Sequence, residues 1–125
     1  MWVRIDNAST VPVFQQLAEQ IRAAIARGTL RPGEALPSIR QMATEALLNP
    51  NTVAKTYRDL ERESILRTQR GLGVFVADTA PELCHGERRV AIRRQVENVI
   101  AEGRRAGLST AELETLCREA LEETP

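Results

Sequence analysis

Aromatic side chains are almost missing from this chain, which holds one Trp, one Tyr and two Phe among 125 residues. A core with so few rings must rest on Leu, Ile, Val and Ala. Histidine occurs once and cysteine twice, at His85, Cys84 and Cys117. A structural zinc site takes four such ligands, normally in tight pairs, so a metal centre is not expected. Two cysteines in segments that read as helical do not make a disulfide framework either, and a reducing cytoplasm is the expected setting. Adjacent Cys84 and His85, with Cys117, leave a metal- or thiol-responsive switch as an open alternative; ordinary helix positions near a linker are the plainer reading. No apolar run approaches the about 20 residues of a membrane span. The opening MWVRIDNAST lacks a cationic region followed by an apolar stretch, so no signal peptide is expected. No Ser/His/Asp set, phosphate-cradling glycine loop or pair of carboxylates in apolar surroundings stands out, so neither enzymatic chemistry nor a cofactor is expected.

What is present is an ordinary globular composition, 42% apolar and 27% charged. The length bounds the chain to one domain, or one with a small appendage. Net charge is zero, yet Met1–Val76 holds 10 Lys+Arg against 7 Asp+Glu and Ala77–Pro125 holds the reverse. That split hints at an anionic partner for the first part alone.

Periodicity divides the chain further. Trp2–Asp6 reads as a short strand. After Ser9, Thr10 and Pro12, the residues Phe14, Leu17, Ala18, Ile21, Ala24 and Ile25 recur at helical spacing, and Gly28 stands where a left-handed helix end belongs. Pro32-Gly33 is a turn signal, with Leu30 and Leu36 free to plug a core. A second helix spans about Pro37 to Leu47. It opens on the capping-box spacing Ser38-x-x-Gln41 and turns Ile39, Met42, Ala43 and Ala46 inward. A third helix starts at Asn49, a residue suited to the N-cap, with Pro50 at the first helical position. ILRTQ and VFVA then read as two strands around Arg70-Gly71-Leu72-Gly73, a glycine-bearing hairpin tip. From about Pro81 a long polar helix runs to Ala106. Gly107 breaks it, and Ser109-x-x-Glu112 launches a last short helix.

The third helix carries the functional signal. At about 100° per residue, Val53, Tyr57 and Leu60 share one face while Asn51, Lys55, Arg58 and Arg62 share the opposite one. An outer stripe of three cations and an amide, beginning at a helix N-terminus, suits the major groove of DNA, where Asn reads adenine and Lys donates to guanine. Phosphate contacts from Arg22, Arg31 and Arg40 are compatible with this placement. A winged helix used to dock protein or RNA is the competing reading, although a docking face is usually more apolar.

LRPGEALPSIRQMA, NPNTVAKTYRDLERESIL and RGLGVFV together resemble the winged helix-turn-helix of GntR-type bacterial transcription regulators, over roughly Val11 to Val76. NPNTV…Y..LE and the short C-terminal part are similar to the YtrA-type subfamily. The resemblance implies a dimeric repressor with a two-helix C-terminal portion, frequently encoded with transporter genes. It implies DNA contact by Arg40 of the PS-x-R motif, phosphate contact by Ser38, and contacts from Asn49, Asn51 and Thr52 where the recognition helix opens. It further implies a wing-tip cation at Arg70, beside Gly71, at the minor groove. Many members carry Arg where Pro50 and Ala54 stand here, so base readout is expected to lean more on Asn51, Lys55 and Arg40, with Arg58 as a further DNA-binding position of the stripe.

The expected fold is therefore mainly α with a small β-wing: a winged helix-turn-helix over residues 1–77 and a two-helix dimerisation segment over 78–125. The latter is too short for an independent ligand-binding domain. Val90, Val96, Val99 and Ile100 on its long helix, with Leu108, Leu113, Leu116 and Leu121 on or beside the last, are expected to bury against each other and a second copy. Folding back on the DNA-binding part is the alternative. Expected partners are duplex DNA with a palindromic site and a second copy of the chain; an unidentified small-molecule effector is admitted but not required.

Overall fold

Leu17, Ile21, Ala24 and Ile25 fall on one side of any helix drawn through them. All four are at most 1% exposed in the computed structural model of the chain, which describes residues 1–125. They belong to α1 (Val13–Ala26). There follow α2 (Ile39–Ala46), α3 (Pro50–Arg62), β1 (Leu66–Gln69), β2 (Gly73–Val76), α4 (Ala80–Arg105) and α5 (Thr110–Glu123). The architecture is mainly α with a small β-wing, a winged helix-turn-helix followed by two helices.

Two compact units divide the chain, Met1–Arg88 and Arg89–Pro125. In the first, Met42 of α2, Val53 and Leu60 of α3, and Ile65, Leu66 and Val76 of the hairpin region close over the α1 stripe. Ala80 and Cys84, from the first turns of α4, are fully buried in the same core. Leu30 and Leu36 are buried there too, as plugs between α1 and α2.

The expected N-terminal strand does not form. Residues 1–6 have no strand partner; their backbone is satisfied by side-chain amides of α1. Gln20 accepts from Arg4 N–H at 2.8 Å and donates to Arg4 C=O at 2.6 Å. One turn earlier, Gln16 accepts from Asp6 N–H at 2.9 Å and donates to the carbonyls of Asp6 and Val11. A primary amide offers the same donor and acceptor pair as a peptide group, so two glutamines four residues apart stand in for a neighbouring strand. Val3 is thereby held in the core.

Helix boundaries follow local chemistry. Pro12 is the N-cap of α1 rather than its first helical residue, and Ser9 instead accepts from Val11 N–H. Ser38 caps α2 by accepting from Gln41 N–H at 3.1 Å. The reciprocal half of the expected capping box is absent, because the Gln41 amide reaches Glu45. Of the expected inward residues of α2, Met42 and Ala43 are buried, but Ile39 is 39% exposed. The hairpin pairs Leu66 with Val76 and Gln69 with Gly73, antiparallel. The Pro32-Gly33 turn lays the next residues along β2, where Gly33 N–H donates to Val76 C=O at 2.8 Å and Leu36 N–H donates to Val74 C=O at 2.8 Å.

In the second unit Ser109 and Glu112 form the complete reciprocal capping box of α5. Gly103 lets the two helices approach closely. A β-carbon at that position would stand 2.4 Å from Leu113 Cδ2. No helix of the chain is long and apolar enough to cross a membrane.

Candidate nucleic-acid interface

The polar, cationic stripe is built on α3, and its opposite face decides where it points. Val53, Thr56, Tyr57 and Leu60 are buried. Thr56 donates its hydroxyl to Thr52 C=O at 2.8 Å, which satisfies it inside the core. The Tyr57 hydroxyl donates to Pro37 C=O at 2.7 Å, tying the middle of α3 to the residue that leads into α2. Burial pushes Tyr57 ionisation well above the usual tyrosine range. With that face committed, Asn51, Lys55, Arg58 and Arg62 are all exposed and Thr52 is half-buried.

The N-terminus of α3 is organised by Asn49, whose side-chain oxygen accepts from Asn51 N–H at 2.8 Å. The oxygen is thus spent on the cap, while its NH2 group stays free to donate. Pro50 lines a cleft of about 500 Å³ together with Arg40 and Thr44, so Arg40 of α2 sits beside the start of α3. Arg40 is exposed, as is Ser38, whose hydroxyl proton remains available while its oxygen serves the helix cap. Helix N-terminal amides, a hydroxyl and a guanidinium gathered in this way suit an anionic oxygen such as a phosphate.

On the wing, Arg70, Gly71 and Leu72 form the loop between the strands and are all exposed. Gly71 has φ +81°, and a β-carbon there would meet no atom within 4 Å. Backbone conformation, not crowding, is what favours glycine. Thr68 of β1 donates to a carboxylate oxygen of Glu61 at 2.6 Å, which fastens the wing to α3. Arg62 differs from its neighbours on the stripe, being paired with Asp59 at 3.4 Å. Arg22 is also engaged, with Glu63 and, at 3.3 Å, with Glu87. Arg31 is exposed.

The residues of the metal or thiol alternative differ in burial. Cys84 is buried, and burial, with Glu87 adding and Arg22 opposing, pushes its thiol ionisation up. His85 is exposed, and Cys117 lies on α5. No group of three or more His, Cys, Asp or Glu side chains gathers to hold a metal.

Among the apolar residues assigned to dimerisation, Val90, Val96, Val99 and Leu116 are 47–62% exposed. Ile100 is half-buried, and Leu113 is turned inside its own unit against Gly103. Ile92, missed by the sequence reading, is 49% exposed and lines one groove with Val96, Val99, Ile100 and Cys117. Its steps to Val96, Val99 and Ile100 are four, three and one, a pattern the sequence already held; Val90 lies on the far side of the helix by the same geometry. A second groove, of about 520 Å³, is lined by Ile100, Leu113, Cys117 and Leu121 among others.

Known proteins resemble the chain in sequence and in fold. The family model described as bacterial regulatory proteins, gntR family, matches residues 14–76. The HTH-type transcriptional repressor YtrA of Bacillus subtilis is 33% identical over 117 residues, covering 94% of this chain and 90% of its own. The crystal structure of a transcriptional regulator from Oenococcus oeni superposes with a TM-score of 0.82 at 28% identity, covering 94% of this chain and 97% of that one. AraR(DBD) in complex with operator ORE1 superposes with a TM-score of 0.53 at 25% identity, over 58% of this chain and 89% of that one.

Proposed function

The chain belongs to the GntR family of bacterial regulatory proteins, and from that premise we propose that it is a repressor that binds a palindromic operator as a homodimer. In this reading α3 enters the major groove, where Asn51, Lys55 and Arg58 reach base edges. Arg40, Ser38, Asn49 and Thr52 hold the backbone and the adjoining bases, and Arg70 with Gly71 brings the wing to the minor groove. The observation that carries it is the division of α3 into a face committed to the core and an opposite, cationic face whose residues Asn51, Lys55, Arg58 and Arg62 are exposed. The repressor role is favoured by the likeness to the Bacillus subtilis repressor.

The homodimer is supported by the second unit. Across Arg89–Pro125 only Leu113 is buried, while Ile92, Val96, Val99, Leu116 and Leu121 remain substantially exposed. Units below about 40 residues usually need an external partner to be stable, and a second copy supplies the same apolar face under two-fold symmetry. Two recognition helices then read two half-sites whose contributions add.

Selection of bound sequences from a random duplex pool tests the whole proposal. The expected result is an inverted repeat with fixed spacing. A pool that yields no dyad symmetry, or no enrichment over non-specific binding, overturns it.

A further inference from the structure

Lys55 is the one lysine of the chain, and it is not free in solvent although it is exposed. Its ammonium lies over the ring of Phe14, 4.3 Å from the centroid. Phe14 is the second residue of α1 and is itself 40% exposed. The sequence assigned it to the core stripe, yet Leu17, Ile21 and Ile25 complete that stripe without it. Lys55 enters none of the four ion pairs of the structure, whereas Arg62 on the same outer side is held by Asp59.

We propose that Phe14 is a positioning residue for base reading, its ring holding the Lys55 ammonium in place without neutralising it. The inference rests on the reading of the Lys55 stripe as the DNA-reading surface. A lysine side chain has four flexible carbons and loses about 2 kcal/mol of rotamer freedom when immobilised. A cation within about 6 Å of an aromatic face is attracted by the ring quadrupole. That contact restricts the lysine before DNA arrives. It leaves the full positive charge for a guanine acceptor, and no carboxylate has to be displaced and left near the phosphates. An acidic partner at Phe14's place would hold the lysine more tightly and oppose binding; an aliphatic one would leave it to scatter. Phe14 thus adds to specificity from a helix that need not touch a base.

The test compares the parent with F14L, F14Y, F14W, K55A and the F14L/K55A double variant. Each is titrated with the best duplex selected by the parent and with the duplex changed at the base pair whose preference K55A relaxes. F14L keeps most of the apolar volume and removes the π face. It is expected to lose about two- to fivefold in discrimination between the two duplexes, the range of an exposed cation–π contact. F14Y and F14W are expected to retain it, and the double variant to discriminate no worse than K55A alone. If K55A relaxes a position but F14L discriminates like the parent, or if the two losses multiply independently, this inference falls and the DNA reading stands. If K55A relaxes no position, the base-reading role of Lys55 falls and this inference with it. Should thermal melting show F14L to be poorly folded, ring-fluorinated phenylalanine at position 14 keeps the shape while draining the π face; discrimination unmoved by fluorination overturns the proposal.

Discussion

Tyr57 joins core, helix and site in one side chain. It is 3% exposed, donates to Pro37 C=O, and lies on the inner face of the helix whose outer face carries Asn51, Lys55 and Arg58. Replacing it with Phe should cost about 0.5–1.5 kcal/mol, the net worth of one buried hydrogen bond, and thermal or urea unfolding measures the loss. Its ionisation gives a second signature. Burial raises the folded value above that of the unfolded chain, so the folded state keeps a proton that the unfolded state releases above about pH 10. The stability contributed by Tyr57 is therefore complete below about pH 10 and declines as pH rises toward the folded value. Because it is the single tyrosine, phenolate absorbance in an alkaline titration should rise together with unfolding; ordinary titration while the fold persists would contradict the burial. At the outer face, Lys55→Ala should reduce discrimination at one base position by about 1–3 kcal/mol. Arg40→Ala should weaken affinity as well as specificity. Binding titrations of both variants against matched and mismatched duplexes separate the two outcomes.

Elements meet at residues in left-handed backbone. Leu47 ends α2 with φ +56° and is 89% exposed. The closing bond from Leu48 N–H to Ala43 C=O at 2.9 Å needs this conformation. An L-residue there bears about 1–2 kcal/mol of steric cost, whereas glycine bears about 0.5–1 kcal/mol of entropic cost and no clash. Leu47→Gly should therefore stabilise the fold by about 0.5–1 kcal/mol, read as a rise of a few degrees in Tm; a lower Tm would show that Leu47 packs in a way its exposure belies. The wing offers a contrasting case, since Gly71 already occupies the left-handed position that frees Arg70 to project. Arg70→Ala should weaken operator binding most where A·T-rich sequence flanks the half-sites, because a narrow minor groove concentrates negative potential. Equal losses on A·T-rich and G·C-rich flanks would count against wing insertion.

At the scale of the whole molecule, the units differ in how they satisfy themselves. Met1–Arg88 owns a continuous core, with Cys84 of α4 as a member; Arg89–Pro125 buries one leucine and exposes the rest of its apolar stripe. Val99, 62% exposed on the face shared with Ile92 and Val96, is the position to perturb. Val99→Glu should convert a dimer into a monomer by light scattering, leave the cooperative unfolding of the winged helix intact, and weaken binding to a two-half-site duplex far more than to a single half-site. A monomeric parent chain would remove the premise altogether.

The sequence by itself determined the helices, the N-caps of α2, α3 and α5, and the outward stripe of α3. Each is a relation among residues within one or two turns: Asn49 with Asn51, Ser109 with Glu112, Val53 with Tyr57 and Leu60. Helical phase propagates from such short-range geometry, so a buried face at one azimuth implies a solvent face at the other. Ile92 was legible on the same rule, which places it with Val96, Val99 and Ile100 and sets Val90 at a different azimuth of the helix. Only the tertiary structure decided that glutamines at 16 and 20 replace a strand, that Cys84 enters the core, and that Phe14 of one helix holds Lys55 of another. Those contacts join groups ten to more than sixty residues apart, and nothing in the local pattern of either partner names the other. Long-range partners are chosen by which surfaces the whole packing leaves facing one another.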